Sequence, residues 1–178
     1  AAYVVQAVLR MHGEESSGRV EPLLSTALGR TRWMLSHIAV VVGAVVVLHV
    51  ILGVAVAVPY GIAIGDVAGP IGDLLPAALA YVPAVLLVAA AAVLCVGLVP
   101  RRAAAVAWGL FAVWVLISQL GPLVQLPQWV MDLSPFGHVP ALPAADLRPL
   151  PLIVLTVVAA ALAVGGIAAL RRRDIVVG

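Results

Sequence analysis

The run MLSHIAVVVGAVVVLHVILGVAVAV, residues 34–58, decides the fold. It contains no Asp, Glu, Lys or Arg. A helix of roughly 25 residues reaches about 37 Å, enough to cross a bilayer core of about 30 Å with some tilt. Three further runs of the same kind follow, at about residues 75–99, 104–126 and 151–170. Strands of a membrane barrel would be shorter and would alternate in polarity. The sequence therefore predicts an all-α, polytopic membrane helix bundle with four transmembrane helices.

Composition agrees. Of the 178 residues, 64% are hydrophobic and 10% are charged, and the mean hydropathy is +1.19. A soluble domain has about 45–50% apolar and about 25% charged residues. The basic residues are all arginine, and no lysine occurs. A Walker A lysine is thereby excluded, so the chain is not itself a P-loop ATPase. Cys95 is the only cysteine, which excludes an intrachain disulfide and a thiolate metal cluster. The arginines sit beside apolar runs, which fits membrane orientation and not nucleic-acid binding.

The arginines also orient the chain. Arg10, Arg19, Arg30 and Arg32 precede the first span, Arg101 and Arg102 separate the second from the third, and Arg171–Arg173 follow the fourth. The segment 59–74 carries Asp66 and Asp73 but no arginine, and the segment after the third span carries only Arg148. Positive-inside counting places both ends and the middle loop in the cytoplasm of a multi-pass cell-membrane protein.

Two segments depart from plain spans. Residues 1–33 read as the end of a preceding helix plus a cytoplasmic amphipathic segment, and 34–178 as the four-span domain. Ala1–Met11 look like the tail of an apolar helix, so the chain is expected to be part of a longer one. Gly13 is expected to end that helix. From Val20, the positions Leu23, Leu24, Ala27 and Leu28 make an apolar stripe at helical spacing, with Pro22 in the first turn. Gly29 is expected to end this helix and Thr31 to cap the next. The second departure is residues 119–149, with six prolines from Pro122 to Pro149 and an apolar early part from Leu120 to Met131. Prolines this dense exclude a regular helix. Short re-entrant or interfacial helices on the outer side fit better than a solvated loop.

Little of the chain points to catalysis. No Ser-His-Asp arrangement, HExxH or CxxC is present, and no catalytic residue, metal site or cofactor is expected. His49 lies near the middle of the first span, where an ionisable group is a functional candidate by default; packing against a neighbouring helix is the plainer role. His37 is about 120° around the helix from it, so the two do not form a metal pair. His138 lies loosely spaced from Asp132 and Asp146, which fits a turn role better than a metal site. His49 and Gln119 are the candidate substrate-path residues. Ala161, Gly165 and Ala169, and likewise Ala39 and Gly43, repeat every four residues and permit close helix approach. Ala89–Ala92 read as a smooth packing face.

The stretch Glu14-Glu15-Ser16-Ser17-Gly18-Arg19-Val20-Glu21-Pro22-Leu23-Leu24, followed by Gly29-Arg30-Thr31-Arg32-Trp33, resembles the cytoplasmic segment of ABC exporter permeases of the type-two class. More narrowly it is similar to permeases described as exporters of polyketide antibiotics. Leu133-Ser134-Pro135-Phe136-Gly137-His138 and Arg172-Arg173-Asp174-Ile175 resemble the same group. The resemblance implies that these spans are the third to sixth of a six-span half. It implies a coupling helix in which Glu14, Glu15, Gly18, Arg19, Glu21, Leu23 and Leu24 contact a separate ABC ATPase subunit. It also implies a second permease half or a homodimer partner, and export of lipophilic compounds such as antibiotics. A membrane interaction or assembly subunit without transport activity is the alternative. An ion-driven transporter is disfavoured, because none of the four runs contains Asp or Glu.

Overall fold

The computed structural model describes residues 1–16 and 30–173, all helix or turn. Helix α1 is Ala2–Ser16, α2 Arg30–Ile64, α3 Ala68–Ala80 and α4 Val82–Leu98. A 3-10 turn, Pro100–Arg102, leads into α5, Ala103–Leu120. After a run of turns come the short α6, Gln128–Met131, and a 3-10 turn at Pro135–His138. Helix α7, Pro149–Arg173, closes the chain's described part. Among the described residues, four spans are long and apolar enough to cross a membrane: Ile38–Ile64, Ala68–Leu98, Pro100–Leu120 and Pro149–Leu170. The chain is a multi-pass membrane protein.

Three boundaries differ from the sequence reading. The first span does not stop before Pro59; α2 continues through it to Ile64. Proline is tolerated in membrane helices, and the residues beyond it remain apolar. The expected outer loop of 59–74 therefore shrinks to a tight turn. Gly65 takes φ +78°, and the Asp66 carboxylate accepts N–H bonds from Ala68 (3.0 Å) and Gly69 (3.2 Å). Asp66 thus caps the start of α3, a use of a short acidic side chain that its place between two apolar helices favours. Next, the second span is two helices, broken at Tyr81. Pro83 has no N–H to give to the carbonyl four residues back, and it occupies the first turn of α4 instead. Finally, the third span ends at Leu120 and not near Leu126, because Pro122 cannot continue it.

The expected caps at the chain's start also shift. Helix α1 runs through Gly13 to Ser16, and α2 has begun by Arg30, so Thr31 lies inside its first turn.

Helix α4 is the centre. It is apolar on every side, as a helix enclosed by others must be. Val85, Val88, Ala89, Ala92, Val93 and Val96 pack with Val4, Val5 and Val8 of α1, Val45 of α2, and Ala103 and Ala107 of α5. Its other face, Ala84, Leu87 and Ala90, packs with Val139 and with Leu155 and Ala159 of α7. All of Ala89–Ala92 are buried, as the smooth-face reading expects. Helix α2 instead lies chiefly along α3 and touches α4 only slightly. The α2–α3 hairpin is therefore a unit set against the α1–α4–α5–α7 cluster, with Tyr81 at the joint.

Lipid tails are as apolar as leucine, so helices here associate through close packing more than through the hydrophobic effect. The closest approach is between α4 and α7. A Cβ on Gly97 would lie 2.6 Å from the Gly166 carbonyl oxygen, and one on Gly166 would lie 2.9 Å from Leu94 N and Cα. The contact face of α7 thus runs through Leu155, Ala159 and Gly166. Ala161 and Gly165 of the expected stripe are exposed, and only Ala169 lies near the contact. On α2 the expected pair Ala39 and Gly43 is likewise exposed, while Gly53 packs on Leu75.

The two adjacent glycines of α7 give a sharp test in the full-length protein. Gly166→Ala forces backbone apart and should cost about 1–3 kcal/mol. Gly165→Ala meets nothing nearer than a side-chain carbon at 3.7 Å and should leave stability unchanged or slightly raised. Thermal unfolding in detergent measures both; equal effects would refute the assigned contact face.

Candidate functional site

A cleft of about 660 Å³ opens between the α2–α3 hairpin and the C-terminal end of α5. Its walls follow from helical geometry. His49, Leu52, Gly53 and Val56 lie at i, i+3, i+4 and i+7 on α2, one face of that helix. Leu74, Ala77, Ala78 and Tyr81 repeat the same spacing along α3 and the joint. Val115, Ser118 and Gln119 of α5 close the far side, with Met131, Phe136 and Gly137 from the proline-rich segment and Ala1 just before α1. The lining is mostly apolar, and its volume lies within the range of small-molecule sites, about 300–1,000 Å³.

The two candidate substrate-path residues, His49 and Gln119, are brought together on this cleft from different helices. His49 Nδ1–H donates to the Val45 carbonyl at 2.8 Å, one turn back on the same helix. That bond fixes the tautomer: in the neutral ring, Nε2 carries the lone pair. The expected packing role of His49, bonding to a neighbouring helix, is not what the structure shows, since the bond stays within α2.

The proline-rich segment 119–149 is held by a hydrogen-bond chain. Ser134 Oγ–H donates to the Trp114 carbonyl at 3.1 Å, and the Ser118 hydroxyl donates to Ser134 Oγ at 2.6 Å. Ser134 is 1% exposed, so these bonds satisfy a hydroxyl that burial would otherwise leave unpaired. His138 Nδ1–H donates to the Ser134 carbonyl at 3.1 Å and closes the turn, while Gln128 donates to Asp132 at 2.8 Å. His138 and Asp132 are thus engaged locally. Phe136, held by this turn, packs against both core clusters. The motif at 133–138 therefore serves as a plug between α4, α5 and α7. The apolar part before it is partly helical, as the sequence predicts, but Leu123, Val124 and Trp129 face away from the protein.

Of the seven coupling residues, Glu14 and Glu15 lie in the last turn of α1. Gly18, Arg19, Glu21, Leu23 and Leu24 lie outside the described residues, as do the whole amphipathic stripe and the expected helix end at Gly29. Sequence reasoning missed Tyr81 and the Ser118–Ser134 pair. Tyr81 carries a signal, a phenol mid-span two residues before a proline; the serines, 16 positions apart, carry none.

The four-span bundle, with an open cleft between its helices, defines a multi-pass membrane protein. Residues 1–171 match the family described as "Multidrug efflux system permease Rv1217c, C-terminal domain", and the chain belongs to that family. It is 39% identical over 175 residues to the multidrug efflux system permease protein Rv1217c of Mycobacterium tuberculosis (strain ATCC 25618 / H37Rv). The match covers 98% of this chain and 32% of that relative, so the chain spans about a third of the relative's length. This agrees with the resemblance to the C-terminal part of a permease.

Removing the Ser134 hydroxyl tests the plug. Ser134→Ala leaves the Ser118 hydroxyl without its acceptor and should cost about 1–3 kcal/mol, whereas Ser118→Ala should cost about 0.5–1.5 kcal/mol. A double-mutant cycle on thermal unfolding should show non-additivity of at least about 0.5 kcal/mol; strict additivity would mean that the two do not interact.

Proposed function

We propose that this chain is the C-terminal transmembrane part of a permease in an ATP-driven ABC exporter of lipophilic compounds such as antibiotics. The observation that carries the proposal is family membership over residues 1–171, joined to a drug-sized cleft between separately packed helical units. In this reading His49 and Gln119 contact substrate on its path. Residues 1–33 comprise the end of a preceding helix, whose Val4, Val5 and Val8 pack in the core, and the cytoplasmic coupling segment, and 34–178 form the four-span domain. A second permease half, or a second copy, completes the pathway in the cell membrane.

ATP hydrolysis resides in a separate ATPase subunit, and this chain supplies no catalytic group. Closure of that subunit biases a two-state membrane dimer between inward and outward access. The input is the segment Glu14 to Leu28. Before Gly29 it carries Glu14, Glu15 and Glu21 against Arg19. A helix resting on anionic lipid is typically basic. An excess of acid favours a protein partner, with Gly18, Leu23 and Leu24 completing the contact.

Reversing the three glutamates to arginine in the full-length permease places like charges where the ATPase supplied opposite ones. Such juxtaposition costs several kcal/mol, so co-purification and substrate-stimulated ATP hydrolysis should fall by about tenfold or more. Unchanged values for both would exclude the coupling role and favour the assembly-subunit alternative.

Orientation has its own test. With Cys95→Ala as background, Val67→Cys keeps the Asp66 cap and sits at the exposed hairpin tip. An impermeant thiol reagent added from outside should label position 67 and spare Arg101→Cys. The reverse pattern would invert the topology.

A further inference from the structure

The cleft holds three polar side-chain groups from three different elements. His49 commits Nδ1 to Val45, which leaves Nε2 as an acceptor. The Tyr81 hydroxyl and the Gln119 amide make no side-chain hydrogen bond with other described residues. The other walls are aliphatic or aromatic, apart from Ser118, whose hydroxyl is given to Ser134. Ala1 also lines the cleft, and among the described residues no carboxylate or guanidinium side chain does.

None of these groups is sealed in the interior, since Tyr81 and Gln119 are exposed and His49 is half-buried, so each is open to a molecule in the cleft; polar groups within apolar spans mark binding paths. Their positions here are imposed by the backbone. Tyr81 stands at the break between α3 and α4, near the middle of the span 68–98, and His49 lies near the middle of the span 38–64. Gln119 ends α5, next to the serine that anchors the plug. A broken helix lining an intramembrane cavity is one of the few places where such groups converge.

From this geometry we infer that the cleft binds uncharged, drug-sized amphiphiles through their hydrogen-bond donors, with Tyr81 and His49 Nε2 as the discriminating groups. The ligand class follows from what the cleft offers. Nε2 only accepts, and the phenol and amide both accept and donate. A hydroxyl or N–H on an apolar body is matched by these groups. A fixed cation or anion finds no counter-charge and loses its hydration on entry. An ether in place of the hydroxyl leaves Nε2 unpaired, and sites built to receive a donor reject analogues that lack it.

The inference rests on the export reading for its biological meaning but is tested by binding alone. The full-length permease with its ATPase subunit is placed in nanodiscs. It is titrated with three fluorescent probes: a trihydroxystilbene, its trimethyl ether, and a stilbene carrying a trimethylammonium group. Partition into empty nanodiscs is subtracted. The trihydroxy probe should bind tightest, by about tenfold over the ether, the worth of about one well-made hydrogen bond. Tyr81→Phe, which keeps the ring, should weaken the trihydroxy probe by about three- to tenfold and the ether, which can only accept from the phenol, by less. His49→Leu should narrow the preference between the two in the same way. Equal affinity for all three probes, or no response of the trihydroxy probe to either variant, overturns the inference. If the preference and its loss are seen while inverted vesicles move none of the probes on ATP addition, the export reading falls and the site stands.

Discussion

Everything in this bundle is arranged around the contact of Gly97 with Gly166. Two backbones meet there with no side chain between them, and only glycine on both sides allows it. That approach holds α7 against α4 along Leu155 and Ala159, and it leaves the opposite faces of α4 to α1, α5 and the plug. A membrane helix gains little by hiding apolar surface from apolar lipid, so closeness of approach stands in for the hydrophobic effect. The alanines at 89–92 extend the same principle along the helix. The bulky residues point outward instead, as on α2, where Val40, Val47, Ile51 and Ile62 are exposed.

The number of spans was legible because a bilayer demands long apolar runs, and such runs leave few alternatives. The positions of breaks and contact faces were less so. Pro59 and Pro83 look equivalent in the sequence, yet α2 passes through the first and the second span breaks two residues before the other. Helices apolar all round carry no polar face to point away from the core, so the shift from Gly165 to Gly166 leaves no trace in the pattern of residue types. His49 and Gln119 were identifiable because each is polar within or beside an apolar run. Their common cleft was not, since it depends on how the hairpin sits beside α5.

The segment 119–149 shows how proline density is resolved. Its turns leave few regular helical bonds, and the backbone pairs locally instead, as where Leu126 N–H reaches the Gly121 carbonyl at 3.0 Å. The two hydroxyls then tie this segment to α5. The result is a short irregular stretch whose inner side completes both cores through Phe136, while its outer side shows Leu123 and Trp129.

The joint at Tyr81 has a mechanical meaning. One wall of the cleft belongs to the hairpin, and the other to elements packed on α4. Because α2 holds mainly to α3, with Val45 its buried contact to the core, the angle between α3 and α4 sets how far apart the two walls stand. In that respect the cleft is like a pair of tongs with a single rivet. The phenol that faces its interior is mounted on the rivet itself, so whatever occupies the jaws bears directly on the angle at which they stand.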